Sequence, residues 1–268
     1  MITETRYTLS PTTTIAVHSA IPSSTPTGLT LVFLHHWGGY SRTYTKMISS
    51  LVAEHAIYAL DSRGWGSSTG PASETEYSVP QLADDTASVI AQLPIRDYVL
   101  VGHSMGGKTA QLIASRRPQG LKGLFLISTA PAGPLFLSEE IREAQLGAYD
   151  NRKVGEAVIR GMLSTRLSDE DVETFWEGSQ TGSKWARAAW PKYAIEEDHS
   201  KSLQDIQIPV KVVVGACDKV HTVDLLRKEI LEKVEGATMV IIEQAEHMLP
   251  LEEPEKMAEE IKTFCSGL

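Results

Sequence analysis

The sequence contains few cysteines, with only Cys217 and Cys265 among its 268 residues. Two cysteines in a chain of this length cannot form the disulfide framework of a small secreted protein. Neither belongs to a Cys-x-x-Cys pair or to a Cys/His spacing that would hold zinc. We therefore expect no metal site and a reducing compartment, the cytoplasm.

Dense basic clusters and long apolar runs are also absent from the sequence. Its 25 Lys and Arg against 34 Asp and Glu give a net charge of −9, which argues against nucleic acid or an anionic membrane as a partner. No segment approaches the roughly 18 apolar residues of a membrane span, and the polar start, MITETRYTLS, is unlike a signal peptide. No Gly-x-Gly-x-x-Gly opens a helix after the first strands, so we expect no cofactor. The expected partner is a small-molecule substrate, and the sequence leaves open a monomer or a homodimer.

Short apolar runs rich in β-branched residues alternate with segments of helical periodicity over most of the chain. This alternation predicts an α/β fold with a mostly parallel sheet that is covered by helices on both faces. The first runs, before Leu34, have no helix between them, so we expect them to form an antiparallel edge. The predicted strands are 14–19, 29–34, 56–60, 98–102, 121–128, 210–215 and 238–243, and the helices between them are 44–53, 79–93, 106–117, 223–233 and 254–264.

One interval, residues 131–207, breaks the alternation because it contains helical patterns and no strand-like run. An all-helical insertion into an α/β sheet is typical of a cap or lid. The sequence therefore predicts a core domain formed by residues 1–130 and 208–268, and a helical cap segment, residues 131–207, inserted in it. Its predicted helices are 138–149, 153–163, 169–177 and 184–197.

A Gly-x-Ser-x-Gly motif, Gly102 to Gly106, follows a predicted strand and precedes a predicted helix. This context is that of a nucleophile elbow, in which the serine lies on a strained turn with its hydroxyl held clear of the main chain. Glycines two residues to either side are needed because a Cβ there would collide with the neighbouring strand and helix. Ser104 is therefore the candidate nucleophile.

The residues that would activate Ser104 follow it in the order acid, then histidine. Asp218 comes directly after the predicted strand 210–215, and His247 lies in the loop between the strand 238–243 and the last helix. A buried carboxylate fixes the tautomer of the histidine and stabilises the imidazolium that forms when it takes the serine proton. The sequence therefore predicts a Ser104–His247–Asp218 triad.

With these motifs the sequence resembles the α/β-hydrolase superfamily over nearly its whole length. The resemblance is carried by HHWGG (35–39), DSRGWGSS (61–68), GHSMGG (102–107), GACD (215–218) and AEHMLPLEEPE (245–255). The resemblance implies an eight-stranded, mostly parallel sheet with an inserted cap. Within the superfamily, the run DSRGWGSS is similar to that of capped esterases, C–C bond hydrolases and cofactor-free haloperoxidases or perhydrolases. The related dehalogenases and epoxide hydrolases have an aspartate as nucleophile, so Ser104 argues against both.

The resemblance also implies roles for residues outside the triad. The backbone N–H groups of Trp37 and Met105 would form the oxyanion hole, while Asp61 and Arg63 would hold neighbouring loops. His36 stands where the family usually has glycine, and it either contacts the substrate or shapes the loop.

The candidate pocket between cap and sheet would be lined mainly by apolar and aromatic residues. Lys108, in the first turns of the helix after Ser104, is expected to face solvent or to cap a neighbouring segment. We expect a carboxylesterase or lactonase that acts on a medium-sized, largely apolar substrate through an acyl-enzyme. A C–C bond hydrolase of a diketone, a perhydrolase and a non-catalytic receptor remain alternatives. The expected pocket residues are His36, Tyr40, Phe136, Trp185, Val220 and Met248.

Overall fold

The apolar runs of the sequence form strands of a single sheet in the computed structural model, which describes residues 2–268. Within these residues the sheet has eight strands. The strands are β1 (Ile2–Thr8), β2 (Thr14–Ala20), β3 (Thr30–Leu34), β4 (Ile57–Leu60), β5 (Tyr98–His103), β6 (Leu121–Ile127), β7 (Val210–Gly215) and β8 (Thr238–Ile242). Their spatial order is β1-β2-β4-β3-β5-β6-β7-β8. The mostly parallel, eight-stranded architecture expected from the resemblance is confirmed.

The antiparallel edge of the sheet differs from the expected one. Strand β2 is antiparallel to both β1 and β4, whereas β3 lies inside the sheet and is parallel to β4 and β5. Placing β3 in the antiparallel edge was therefore wrong, because β2 and β3 are not neighbours and β4 lies between them. Strand β1 was not predicted, since its sequence ITETRYT is polar and almost wholly exposed. The strand pairs with β2 through main-chain hydrogen bonds, so its sequence needs no alternation of apolar and polar residues.

Helices cover both faces of the sheet because each has one apolar side. Helices α2 (Val79–Ile90) and α3 (Met105–Ser115) contribute to the core on one face, and α1 (Thr45–Leu51) and α10 (Pro254–Ser266) contribute to the core on the other. Two short helices, α8 (Val223–Leu226) and α9 (Leu249–Glu252), lie in the C-terminal part, and a π-helical turn, Arg227–Leu231, continues α8. Within residues 2–268, no helix combines the length and the hydrophobicity that crossing a membrane requires.

Between β6 and β7, where every residue is described, the chain forms helices and no strand. The four α-helices of this stretch are α4 (Glu139–Gly147), α5 (Arg152–Val158), α6 (Asp169–Thr181) and α7 (Lys184–Lys192). Each begins after a residue whose side chain accepts a hydrogen bond from a main-chain N–H of the first turn, which satisfies a donor that the helix itself leaves free. These capping residues are Ser138, Asn151, Ser168 and Ser183. A π-helical turn, Ile159–Leu163, continues α5.

Lys108 joins α3 to the cap segment. Of the two expectations for it, exposure to solvent was wrong, and its contacts are with carbonyl groups of a neighbouring segment. Its side chain is buried, and Nζ donates to the carbonyl oxygens of Gly133 at 3.0 Å and Ile195 at 2.9 Å. Burial lowers the pKa of Lys108 to about 8, because the charged ammonium is removed from water. A lysine in the first turns of an exposed helix would face solvent, but the cap segment covers this one.

Candidate active site

The turn between β5 and α3 places Ser104 at the carboxyl edge of the sheet. Ser104 has φ 52° and ψ −114°, a conformation that L-residues rarely adopt. The glycines of the motif make room for this turn. A Cβ on Gly102 would lie 2.6 Å from the carbonyl oxygen of Gly106, and one on Gly106 would lie 2.3 Å from that of Leu34. The spacing of the motif is therefore required by close main-chain contacts between β5, α3 and the end of β3.

The structure brings Ser104, His247 and Asp218 together in one hydrogen-bonded chain. The Ser104 Oγ lies 3.2 Å from His247 Nε2, and His247 Nδ1 lies 2.9 Å from Asp218 Oδ2. All three side chains are buried. A histidine that donates its Nδ1 proton to a carboxylate has Nε2 free to accept the serine proton. This is the arrangement that the order of the three residues in the sequence predicts.

The second oxygen of Asp218 is held by its own loop. Asp218 Oδ1 accepts hydrogen bonds from the main-chain N–H groups of Val220 at 2.8 Å and His221 at 2.9 Å. Burial alone would raise the pKa of Asp218, but the charge of His247 and its hydrogen bond, with those from the loop, hold it well below its usual range. The carboxylate therefore remains ionised beside His247.

The main chain of His247 is held from two sides. Its N–H donates to the carbonyl oxygen of Leu163 in the cap segment at 3.0 Å, and its own carbonyl oxygen accepts from His103 Nε2 at 3.0 Å. The Glu252 carboxylate accepts from the N–H groups of the residues before and after His247, at 2.7 and 2.8 Å. Sequence reasoning missed His103 and Glu252, although the first of them is part of the nucleophile motif itself.

Near Ser104, the main-chain N–H groups of Trp37 and Met105 have no acceptor within the described part of the chain. Met105 is the first residue of α3, where a helix leaves its N–H groups unpaired. Trp37 borders the same cavity as Ser104, and its indole is fixed by a hydrogen bond from Nε1 to the Arg187 carbonyl at 3.1 Å. These are the two donors that the resemblance assigns to the oxyanion hole.

The paired histidines after β3 have different surroundings. His35 Nδ1 donates to the carbonyl oxygen of His36 at 2.7 Å and Nε2 accepts from the N–H of Ser62 at 2.9 Å, so the ring joins two loops. The ring of His36 packs between His103 and Phe175, with ring centroids 4.9 Å away on each side. Both of its ring nitrogens are buried, and neither has a partner in residues 2–268. Burial holds the pKa of His36 well below its usual range, so the ring is neutral.

Asp61 and Arg63 hold loops, as the resemblance implies. The Asp61 carboxylate accepts from the N–H groups of Ser41 at 2.7 Å and Ser67 at 2.8 Å, which lie in the loops after β3 and β4. Arg63 forms two hydrogen bonds with the Asp85 carboxylate, at 2.7 and 2.8 Å. Neither residue borders the cavity at Ser104.

A cavity of about 80 Å³ lies between the triad and the cap segment. This is far below the roughly 300–1,000 Å³ of typical ligand pockets, because the cap helices lie close over the site. Of the six predicted pocket residues, His36 and Val220 border the cavity. Its wall is formed by His36, Trp37, Ser104, Gln145, Tyr149, Val158, Met162, Leu163, Trp190, Ile195, Val220, His221 and His247.

The structure places the other four predicted pocket residues elsewhere. The Tyr40 hydroxyl donates to Glu177 at 3.2 Å, and Phe136 is 79% exposed on the outside of the cap segment. Trp185 lies under Lys184, whose Nζ is 4.5 Å from the centre of its ring. Met248 is fully buried in the apolar cluster that joins cap and core. An apolar residue type does not distinguish the cavity wall from a docking surface, which is why these expectations were wrong.

Comparison with known proteins agrees with the architecture. A family model described as the alpha/beta hydrolase fold matches residues 30–254. The chain is similar to 3-oxoadipate enol-lactonase 2 of Acinetobacter baylyi, with 28% identity over 84% of each chain. It is also similar to the bifunctional esterase/perhydrolase DCH of Acinetobacter calcoaceticus, with 24% identity over 89% of this chain and 92% of that one.

Solved structures show the same fold at low sequence identity. The esterase EaEST from Exiguobacterium antarcticum superposes with a TM-score of 0.84 and 21% identity, covering 95% of this chain and 96% of that one. The match of the family model spans most of the chain, from β3 to the start of α10. The chain belongs to the family of proteins with the alpha/beta hydrolase fold.

Proposed function

We propose that the protein is a serine hydrolase that cleaves a carboxylic ester or lactone through an acyl-enzyme. The observation that carries this proposal is the hydrogen-bonded chain from Ser104 Oγ through His247 to Asp218, with distances of 3.2 and 2.9 Å. An ionised carboxylate at one end and a hydroxyl that borders the cavity at the other suit nucleophilic attack on a carbonyl.

The proposed reaction has two halves. His247 Nε2 takes the proton of Ser104 as Oγ attacks the carbonyl carbon, and the oxyanion that forms accepts hydrogen bonds from the N–H groups of Trp37 and Met105. His247 then gives the proton to the leaving alcohol oxygen. Water, activated by the same histidine, releases the acid and restores Ser104. Each oxyanion donor contributes roughly 3–4 kcal/mol to this step.

The surroundings of Ser104 favour an apolar substrate. The loop that carries Asp218, residues 216–222, is called the acid loop. Six of the side chains that border the cavity are aliphatic or indole groups of the cap segment and the acid loop, and the wall has no Lys, Arg, Asp or Glu among the described residues. A medium-sized substrate needs the cap to move, because the closed cavity of about 80 Å³ is too small for one. The names of the two relatives, an enol-lactonase and an esterase/perhydrolase, support ester and lactone chemistry.

The proposal is tested with p-nitrophenyl esters and a fluorophosphonate label. We expect wild type to hydrolyse the esters and to be labelled at Ser104, and Ser104→Ala to lose about 10⁴-fold or more in kcat and all labelling. Ser88→Ala, on the exposed side of α2, is the matched control and keeps both. Turnover and labelling that survive in Ser104→Ala would contradict the mechanism.

Three further assays separate the remaining reaction classes. Cleavage of 1,3-diketones without ester hydrolysis would assign a C–C bond hydrolase, and halide oxidation in acetate and peroxide would reveal a perhydrolase. A ligand that raises the melting temperature without being turned over would indicate a receptor.

A further inference from the structure

His221 lies in the cavity wall, three residues after Asp218, and nothing in the proposed reaction uses its side chain. The residue is 2% exposed and its position is fixed twice. Its N–H donates to Asp218 Oδ1 at 2.9 Å, and its Nδ1 lies 3.0 Å from the carbonyl oxygen of Ser128. The imidazole therefore has one orientation relative to the triad.

These contacts determine which nitrogen of His221 carries the proton. A carbonyl oxygen only accepts hydrogen bonds, so Nδ1 must be the donor and must be protonated. Burial lowers the pKa of His221 to about 4, so the ring is neutral at pH 7. The other nitrogen, Nε2, then has a lone pair and no proton. Within residues 2–268 the side chain of His221 forms its one hydrogen bond through Nδ1, and Nε2 forms none.

The ring of His221 is close to the reacting atoms. It packs nearly perpendicular to His247, with 5.0 Å between the ring centroids and 68° between the planes. His247 is itself hydrogen-bonded to Ser104. A substrate group that reaches His221 is therefore near the bond that breaks and not at the far end of the molecule.

The acceptor nitrogen of His221 lies in a cavity wall that offers few other polar groups. The neighbouring side chains are largely apolar, and an acceptor left unpaired in such surroundings when substrate binds costs about 1–3 kcal/mol. The ring nitrogens of His36 are closed off between two aromatic rings. Gln145 and Tyr149 also bring polar groups to the wall, but both belong to the cap segment. His221 belongs to the acid loop, and its main chain is hydrogen-bonded to Asp218 of the triad.

We propose that His221 selects substrates that carry a hydrogen-bond donor, a hydroxyl or an amide N–H, close to the scissile carbonyl. This inference rests on the proposed hydrolase function and refines its substrate class. The preferred substrate is a hydroxylated or amidated ester or lactone whose donor points at Nε2, on an otherwise apolar molecule.

The test compares five methyl esters of similar size, two of which are hydroxy esters paired with their O-methyl ethers. Methyl 3-hydroxybutyrate offers a donor, its O-methyl ether keeps the oxygen without the proton, and methyl pentanoate has neither; methyl 2-hydroxybutyrate with its ether covers the nearer position. We expect wild type to prefer the hydroxy ester of one pair by about 10- to 100-fold in kcat/KM. Equal values within each pair would overturn the proposal.

Variants of His221 distinguish selection from positioning. His221→Asn retains an amide donor near the Nδ1 position for Ser128 and removes Nε2, so the preference is expected to fall to about one. Lys219→Ala, at an exposed position of the same loop that does not border the cavity, is the matched control and keeps the preference. A loss in kcat by the same factor for hydroxy ester and ether would show that His221 only positions His247, which would also overturn the proposal.

Binding to Ser104→Ala separates this inference from the hydrolase function. Calorimetry of the intact esters is expected to show tighter binding of the hydroxy ester than of its ether, and Ser104→Ala/His221→Asn is expected to lose the difference. If wild type cleaves no ester but this difference is present, the hydrolase proposal fails and the donor site stands. Equal binding within each pair, or none, would refute the donor site whatever the turnover.

Discussion

Replacing Ser104 by glycine is expected to stabilise the protein while abolishing its activity. At φ 52° and ψ −114°, the Cβ of an L-residue is strained, whereas glycine adopts the mirror-image β region freely. Such strain costs about 1–3 kcal/mol. Alanine keeps the Cβ and therefore the strain. Since both variants lack the hydroxyl, the difference in stability between Ser104→Gly and Ser104→Ala measures the strain alone.

The magnitude follows from two opposing contributions. Relief of strain raises the free energy of unfolding by about 1–3 kcal/mol, and the greater freedom of glycine in the unfolded chain lowers it by about 0.5–1 kcal/mol. We expect Ser104→Gly to be more stable than Ser104→Ala by about 1 kcal/mol or somewhat more. For a domain of this size that corresponds to roughly 2–4 °C in Tm for each kcal/mol.

Urea unfolding followed by circular dichroism measures the difference, provided that both variants have the same m value. The matched control is the same pair at Ser88, an exposed position inside α2. There the sign reverses, and alanine is expected to be more stable than glycine by about 1 kcal/mol. If Ser104→Gly is no more stable than Ser104→Ala while the Ser88 pair behaves as expected, the turn at Ser104 stores no strain and the reasoning fails.

Two further substitutions test buried polar groups. His36→Phe is expected to raise the free energy of unfolding by about 1 kcal/mol, because it replaces two unpaired buried nitrogens in a ring stack; a lower unfolding midpoint in urea would contradict this. Lys108 has its pKa lowered to about 8 from 10.5, so the unfolded chain binds more protons between these pH values and the wild type gains stability as pH rises. Lys108→Met lacks this gain, so its unfolding free energy measured at pH 7 and 10 is expected to fall behind wild type by about 1–3 kcal/mol at the higher pH; a difference that does not change with pH would refute the role of Lys108.

The parts of the site that the sequence predicts are those in which a residue's place in the chain decides its place in space. Ser104, Asp218 and His247 each follow a parallel strand, and the carboxyl ends of parallel strands meet at one edge of the sheet. Order and strand position were therefore enough to bring them together. The glycines of the elbow were predictable for a similar reason, because main-chain crowding excludes a Cβ whatever the surroundings.

The cavity wall was far less predictable. Phe136 and Met162 are both apolar residues of the cap segment, yet the first faces solvent and the second borders the cavity. Phe136 lies in the segment before α4 and Met162 in the π-helical turn after α5, and which of these segments faces the triad is decided by tertiary packing and not by a local pattern. His221 could have been found from its distance of three residues to Asp218, since the loop that binds the carboxylate also carries it into the cavity.

The strand β1 and the burial of Lys108 were not predicted, for opposite reasons. The strand is stabilised by main-chain pairing and exposes its polar side chains, so it lacks the apolar alternation that identifies strands. Lys108 has a residue type that is almost never buried, but two carbonyl oxygens of the cap segment bind its ammonium group.

The hydrogen bond from the His247 N–H to the Leu163 carbonyl links access to the cavity with the timing of catalysis. If the main chain at Leu163 moved outward, His247 would lose one of the contacts that hold its main chain, so in the proposed hydrolase a cap that opened there would leave the histidine less firmly placed while open. The preceding residue, Met162, borders the cavity and is 46% exposed, so its flexible side chain stands between cavity and solvent. A small substrate that passes Met162 by a rotation of this side chain, on a time scale of nanoseconds, reaches an intact triad. A larger one that displaces Leu163 meets a histidine that has lost this contact, so we expect its turnover to depend on how far the segment closes again over it.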